Sequence, residues 1–132
     1  MTEKIVVITT DLKISTREIE VENGSMLKGL QEIVGGGIEV VHPRRMERPL
    51  CFVCNDEGLR LGLPINAVGS HLYGTDQHGH PIVGDIAIMR EGFRNGEWDL
   101  VGFPSLLAEE LMVRFTRTYP ILKGAKPDAA DS

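Results

Sequence analysis

The sequence predicts an α+β domain: a mainly antiparallel sheet of about five strands with two helices packed on it. Three observations point there. Short β-branched or alternating runs recur between clusters of Gly, Pro, Asn and Asp, the punctuation of strands and turns. Two segments, beginning near Ser25 and Ser105, instead repeat apolar residues at helical spacing. The chain has 132 residues, 42% apolar and 25% charged, enough for one core that buries roughly two thirds of the unfolded surface. The domain is expected over residues 1–120, with 121–132 as a flexible C-terminal tail of small and polar residues.

Each element has its own reason. KIVVITT, residues 4–10, is short and β-branched, the pattern of a strand buried on both faces. ISTREIEV, residues 14–21, is more polar and completes an opening hairpin with one wet face. Asn23-Gly24-Ser25 signals a turn and cap, and Met26, Leu27, Leu30, Ile33 and Val34 form a helical face. Gly35-Gly36-Gly37 follows that helix, which marks a left-handed stop; a phosphate cradle would precede a helix. Residues 38–42 and 50–54 read as strands flanking an arginine-bearing loop. Asn55-Asp56-Glu57-Gly58 is a turn, and Leu59, Leu61 and Leu63 alternate as extended chain. Pro64 keeps Leu63 out of helical angles, and Asn66 can start a brief helical turn. Residues 69–81 look least ordered. Residues 82–90 alternate as a central strand, and 92–102 read as a turn-rich excursion. The closing helix is the clearest: Ser105 as cap, Glu109 and Glu110 near its positive end, Arg114 and Arg117 near its negative end, Pro120 beyond.

Composition excludes several functions. The net charge is −5, and the basic residues are scattered apart from Arg44, Arg45 and Arg48, so nucleic acid is not an expected partner. No apolar run approaches the roughly 20 residues of a membrane span, and residues 1–20 lack a secretory pattern; a cytoplasmic protein is expected. Cys51 and Cys54 form a CxxC, but residues three apart on a strand point to opposite faces, so the sulfurs diverge and no zinc or dithiol centre is expected.

The candidate chemistry is sparse. His71, Asp76, His78 and His80, with Asp85 nearby in sequence, could ligate one metal, since His78 and His80 share a face in extended chain. Loop histidines beside glycine and proline are as readily solvated surface groups. The serines lack a GxSxG context, and the carboxylates after Cys54 disfavour its thiolate. Trp98, Phe93 and Phe103 interleave with Arg94 and Glu97, a patch able to hold a planar base or a partner side chain, or to cover a core edge.

The stretches Gly36-Gly37-Ile38-Glu39, Cys54-Asn55-Asp56-Glu57-Gly58, Gly62-Leu63-Pro64-Ile65-Asn66 and Ile82-Val83-Gly84-Asp85, followed by a helix after Ser105, occur in that order. This pattern (GGxIE, then CNxEG, then GLPxN) resembles an uncharacterised domain family common in phages, plasmids and bacterial mobile elements. The resemblance spans about residues 4–119 and implies fold and setting, with no catalytic residues to carry over. The chain departs from the pattern in its histidine-rich loop and around 92–98.

The resulting expectation is a non-enzymatic binding protein of a phage or mobile element, recognising a small nucleotide-like ligand or a host protein. Asn55, Gly62, Asn66 and Trp98 are the expected ligand-facing residues. No cofactor is expected, and a homo-oligomer is left open. The alternative is a metal-dependent enzyme using the 71–85 loop.

Overall fold

The opening strand β1 (Thr2–Ile8) is apolar on both sides, and both sides are buried: Ile5 and Val7 on one, Val6 and Ile8 on the other. A strand of that kind must lie inside a sheet covered on both faces. In the computed structural model, which describes residues 1–77 and 79–124, this is what surrounds it. β2 (Lys13–Glu20) returns antiparallel to β1, with Thr2 opposite Glu20 and Ile8 opposite Ile14. After helix α1 (Leu27–Val34) come β3 (Ile38–Val41) and β4 (Leu50–Asn55), then two short helices, α2 (Gly58–Leu61) and α3 (Ala67–Tyr73). β5 (Ile86–Arg94) and β6 (Glu97–Val101) form a hairpin, followed by helix α4 (Ser105–Thr118) and the two-residue β7 (Lys123–Gly124).

The sheet order is β3-β4-β5-β1-β2-β7, and β6 pairs with the far half of β5. Every pairing is antiparallel except β2 with β7. The expected α+β architecture is present, with seven strands and four helices among the described residues instead of about five and two. α1 covers one face through Met26, Leu30 and Val34; α3 and α4 cover the other through Val68, Leu72, Leu111 and Phe115. Each such side chain contributes about 1.5–3 kcal/mol by leaving water.

The extra elements have local causes. Residues 59–63 were expected to be extended, but one helical turn forms and Gly62 closes it at φ 70°, a conformation a side chain would resist. Three alternating leucines do not separate a strand from a helical turn. Residues 69–81 were expected to be irregular, yet α3 runs to Tyr73 because Asn66 caps it, its side chain accepting from the Gly69 N–H. The excursion at 92–102 is a β-hairpin around Asn95-Gly96, both at positive φ, the pair best suited to a two-residue turn. The strand expected at 82–90 is displaced to 86–94, since Gly84 at φ 81° bends the chain and turns its N–H to the Pro64 carbonyl. Ser105 is the first helical residue of α4, not its side-chain cap. Of the expected tail, Leu122 is buried and Lys123–Gly124 pairs with β2; residues 125–132 lie outside the described residues.

Where β6 parts from β1, one ion pair closes the seam. Arg94 donates to both Glu3 carboxylate oxygens, at 2.6 and 2.8 Å, and the Gly102 N–H donates to the same carboxylate at 2.8 Å. The side chains are only 9% and 17% exposed, and the Arg94 hydrogen bonds hold the Glu3 carboxyl below its usual range. No helix among the described residues is long and apolar enough to cross a membrane.

Candidate functional site

The four glycine-rich stretches meet at one end of the sheet. Gly37 accepts from the Asp56 N–H, and a Cβ on Gly36 would lie 3.0 Å from the Asn55 amide. A Cβ on Gly58 would lie 2.6 Å from Val83, so the turn after β4 packs against the strand entry at 82–85. Ile65 bridges Val83, and the Asn66 N–H donates to the Ile82 carbonyl. These stretches are bends locked to one another at backbone distance.

Asn55 and Asn66 are parts of that lock. Asn66 is fully buried; its Nδ2 donates to the Ile8 and Gly84 carbonyls, both at 3.0 Å, while its Oδ1 caps α3. Both amide hydrogens and the side-chain oxygen serve the fold. Asn55 spans Val34 O at 3.0 Å and the Glu57 N–H at 2.7 Å, tying the end of α1 to the turn. Gly62 closes α2, and Trp98 stands on the β5–β6 hairpin, 60% exposed, edge-on to Phe93 at 4.8 Å.

Beside the lock is a cleft of about 380 Å³, walled by Glu39, Asp56, Arg60 and His80 over Cys54 and Val83. Burial, reinforced by the charges of Glu39 and Asp56, pushes the Cys54 thiol up to about 11. Cys51 is pushed up to about 12, chiefly by burial. The two cysteines belong to opposite cores, the divergence the strand spacing predicts. A thiol held protonated in a negative cleft is a poor nucleophile.

The proposed metal ligands also stand apart. His71 Nδ1 is 2.6 Å from the Tyr119 hydroxyl, and Asp76 receives Arg45 in two hydrogen bonds of 2.7 and 3.1 Å. His80 stacks on Tyr73, and Asp85 accepts from the Thr10 N–H. His78 lies outside the described residues. No three His, Cys, Asp or Glu side chains gather for a metal among the described residues.

His71 stands on the rim of a groove. It lies between α3, α4 and the loop 43–49, with a volume of about 350 Å³ and a floor of Met46, Leu50, Leu72, Leu111 and Phe115. Arg45, Glu47, Arg114, His71, Thr118 and Tyr119 edge it. The Arg45 N–H donates to the Leu72 carbonyl, docking the loop on α3, and its guanidinium bridges the His71 carbonyl and Asp76. Asp76 keeps Arg45 firmly protonated, and Arg45 holds the Asp76 carboxyl below its usual range. Burial raises the Tyr119 phenol. Arg114 has no ion pair among the described residues. The sequence offered two traces of this groove, the arginine cluster at 44–48 and the basic last turn of α4. Nothing in the linear order shows that they face each other.

Residues 1–115 match a family model described as a domain of unknown function, DUF3846, and the chain belongs to that family. No curated protein and no solved structure matches the chain.

Proposed function

We propose that this member of the DUF3846 family is a non-enzymatic, cytoplasmic binding protein of a phage or mobile element, and that the α3–α4 groove takes a small nucleotide-like ligand. One observation carries the reading: an apolar floor large enough for a planar ring lies under two guanidinium groups and a phenol, which outnumber the one carboxylate there, Glu47. Sites for small molecules combine a mostly apolar cavity of this size with a few placed polar groups. In this reading the ring rests on Leu72, Leu111 and Phe115, and the anionic group reaches Arg114, whose charge is free. Arg45, held by Asp76, sets the opposite rim. The cleft at Cys54 is the poorer choice, because it sets the carboxylates of Glu39, Asp56 and Glu57 against one guanidinium, Arg60, whereas the groove sets Glu47 against Arg45 and Arg114.

The test is equilibrium titration of the protein with nucleoside monophosphates and dinucleotides, read by calorimetry and by the rise in melting temperature. Binding that weakens about tenfold or more in Arg114→Ala is expected, since a charge-assisted hydrogen bond is worth about 1.5–3 kcal/mol. A panel without response, or binding indifferent to Arg114→Ala, refutes the reading.

A further inference from the structure

The α3–α4 groove holds a carboxylate that a site for anions alone would not need. Arg45 is engaged by Asp76, but Glu47 on the loop 43–49 and Arg114 on α4 have no ion pair among the described residues. One groove therefore carries an open negative group on the loop and an open positive group on the helix. The loop around Glu47 is tied down on both sides. Before it, the Arg45 N–H donates to the Leu72 carbonyl at 3.0 Å; after it, the Leu50 N–H donates to the Glu47 carbonyl at 2.9 Å. Met46 and Leu50, which bracket Glu47 in the chain, both belong to the apolar floor.

A carboxylate accepts hydrogen bonds and gives none. Beside an anion-binding guanidinium it weakens the hold on a phosphate, unless the same ligand brings donors to it. The bases differ in what they bring. Guanine carries two adjacent donors, N1–H and the N2 amino group, which match the two oxygens of a carboxylate. Adenine and cytosine set their amino group beside a ring nitrogen whose lone pair a carboxylate repels, and uracil sets its N–H between two carbonyl oxygens. We propose that Glu47 makes the groove selective for guanine nucleotides, accepting from N1–H and the N2 amino group while Arg114 holds the phosphate. The selectivity rests on the reading of the groove as a nucleotide site; it adds which base is taken and which residue chooses it. Glu47 is exposed, so water competes for its oxygens and the discrimination is about tenfold, as for a hydrogen bond at a wet rim.

The native protein and Glu47→Gln are titrated by calorimetry with the monophosphates of guanosine, inosine, adenosine and 2′-deoxyguanosine. In the native protein guanosine monophosphate is expected to bind about tenfold tighter than adenosine monophosphate, with inosine monophosphate, which lacks the amino group, between them. The 2′-deoxy nucleotide is expected to match guanosine monophosphate, because the contact is to the base. In Glu47→Gln the guanosine nucleotide should fall to the level of the adenosine nucleotide, which itself does not fall. Glutamine keeps the size of the side chain at an exposed position, and an unchanged melting temperature checks that the fold is intact. A carboxylate acting through charge alone gives the other pattern, in which Glu47→Gln tightens both nucleotides alike, and that overturns the proposal. Equal affinity of the native protein for guanosine and adenosine monophosphate overturns it too, as does a loss confined to the 2′-deoxy nucleotide, which would put the carboxylate on the ribose. In each of those cases nucleotides still bind and Arg114→Ala still weakens them, so the ligand reading survives. Silence of every nucleotide with both proteins sinks the ligand reading, and the base selectivity with it.

Discussion

Replacing Asn66 should unfold the protein more effectively than any change at the groove. Its side chain makes three hydrogen bonds in a site closed to water: two donated to Ile8 and Gly84 carbonyls on separate segments, and one accepted from Gly69 at the start of α3. Asn66→Ala removes a helix cap worth about 1 kcal/mol and two buried hydrogen bonds worth about 1 kcal/mol each, a loss of about 3 kcal/mol. Against a typical domain stability of about 5–15 kcal/mol this is a large share, a drop of roughly 10–15 °C in melting temperature. Asn66→Asp separates the causes. Aspartate is as good a cap as asparagine, so a residue acting only as a cap would tolerate it. Here the carboxylate would face two carbonyl oxygens with no donor, a buried unpaired charge costing about 3–5 kcal/mol. That cost shrinks as the pH falls and the acid takes up a proton, which restores a donor. Urea denaturation of the three proteins at pH 7 and pH 5 measures this. Asn66→Asp within about 0.5 kcal/mol of the native protein at pH 7 would refute the reasoning.

Three further outcomes follow from other contacts. Glu3→Gln breaks the seam pair with Arg94 and should cost about 3 kcal/mol at pH 7. Because the folded Glu3 carboxyl lies below its unfolded value, its contribution is present above that unfolded value and is lost as the pH falls through the folded one; the gap between the two proteins in urea midpoints should narrow as the pH falls below the usual carboxylate range. Thiol labelling at pH 8 should be slow in the folded protein, where with Cys54 near 11 about one thiolate in a thousand is present, and immediate for both cysteines in denaturant; rapid labelling without denaturant contradicts the burial. Gly102→Ala would bring a Cβ within 2.6 Å of the Lys4 carbonyl oxygen, so β1 must shift, and a loss of about 2 kcal/mol is expected by thermal melting.

Much of the fold was legible because its strongest elements announce themselves locally. β1 is read from β-branching to within two residues at each end and α4 from helical spacing, though without Ser105 as its cap, and Cys51 and Cys54 diverge as strand geometry demands. The errors fall where one short segment is compatible with two structures. Leu59 and Leu61 alternate in sequence yet sit in one helical turn, because Gly62 can close it. The Asn95-Gly96 signal for a hairpin was present, but the glycines and charges around it also suit a plain loop. The candidate site was far less legible. Asn55 and Asn66 attract notice as polar residues near bends, and their partners are backbone groups up to 58 positions away, which no spacing reveals. His71 and Asp76 were singled out as ligands for a metal, and the structure gives them Tyr119 and Arg45, 48 and 31 residues distant.

The central claim is that the polar bends hold the sheet together while binding takes place at the α3–α4 groove. Amide chemical-shift mapping during titration with adenosine and guanosine monophosphate tests it most directly. The account predicts shifts clustered at Arg45, His71, Arg114 and Tyr119, with residues 54–60 unmoved. Shifts centred on Cys54, Asp56 and His80 instead would place the binding in the cleft and contradict it.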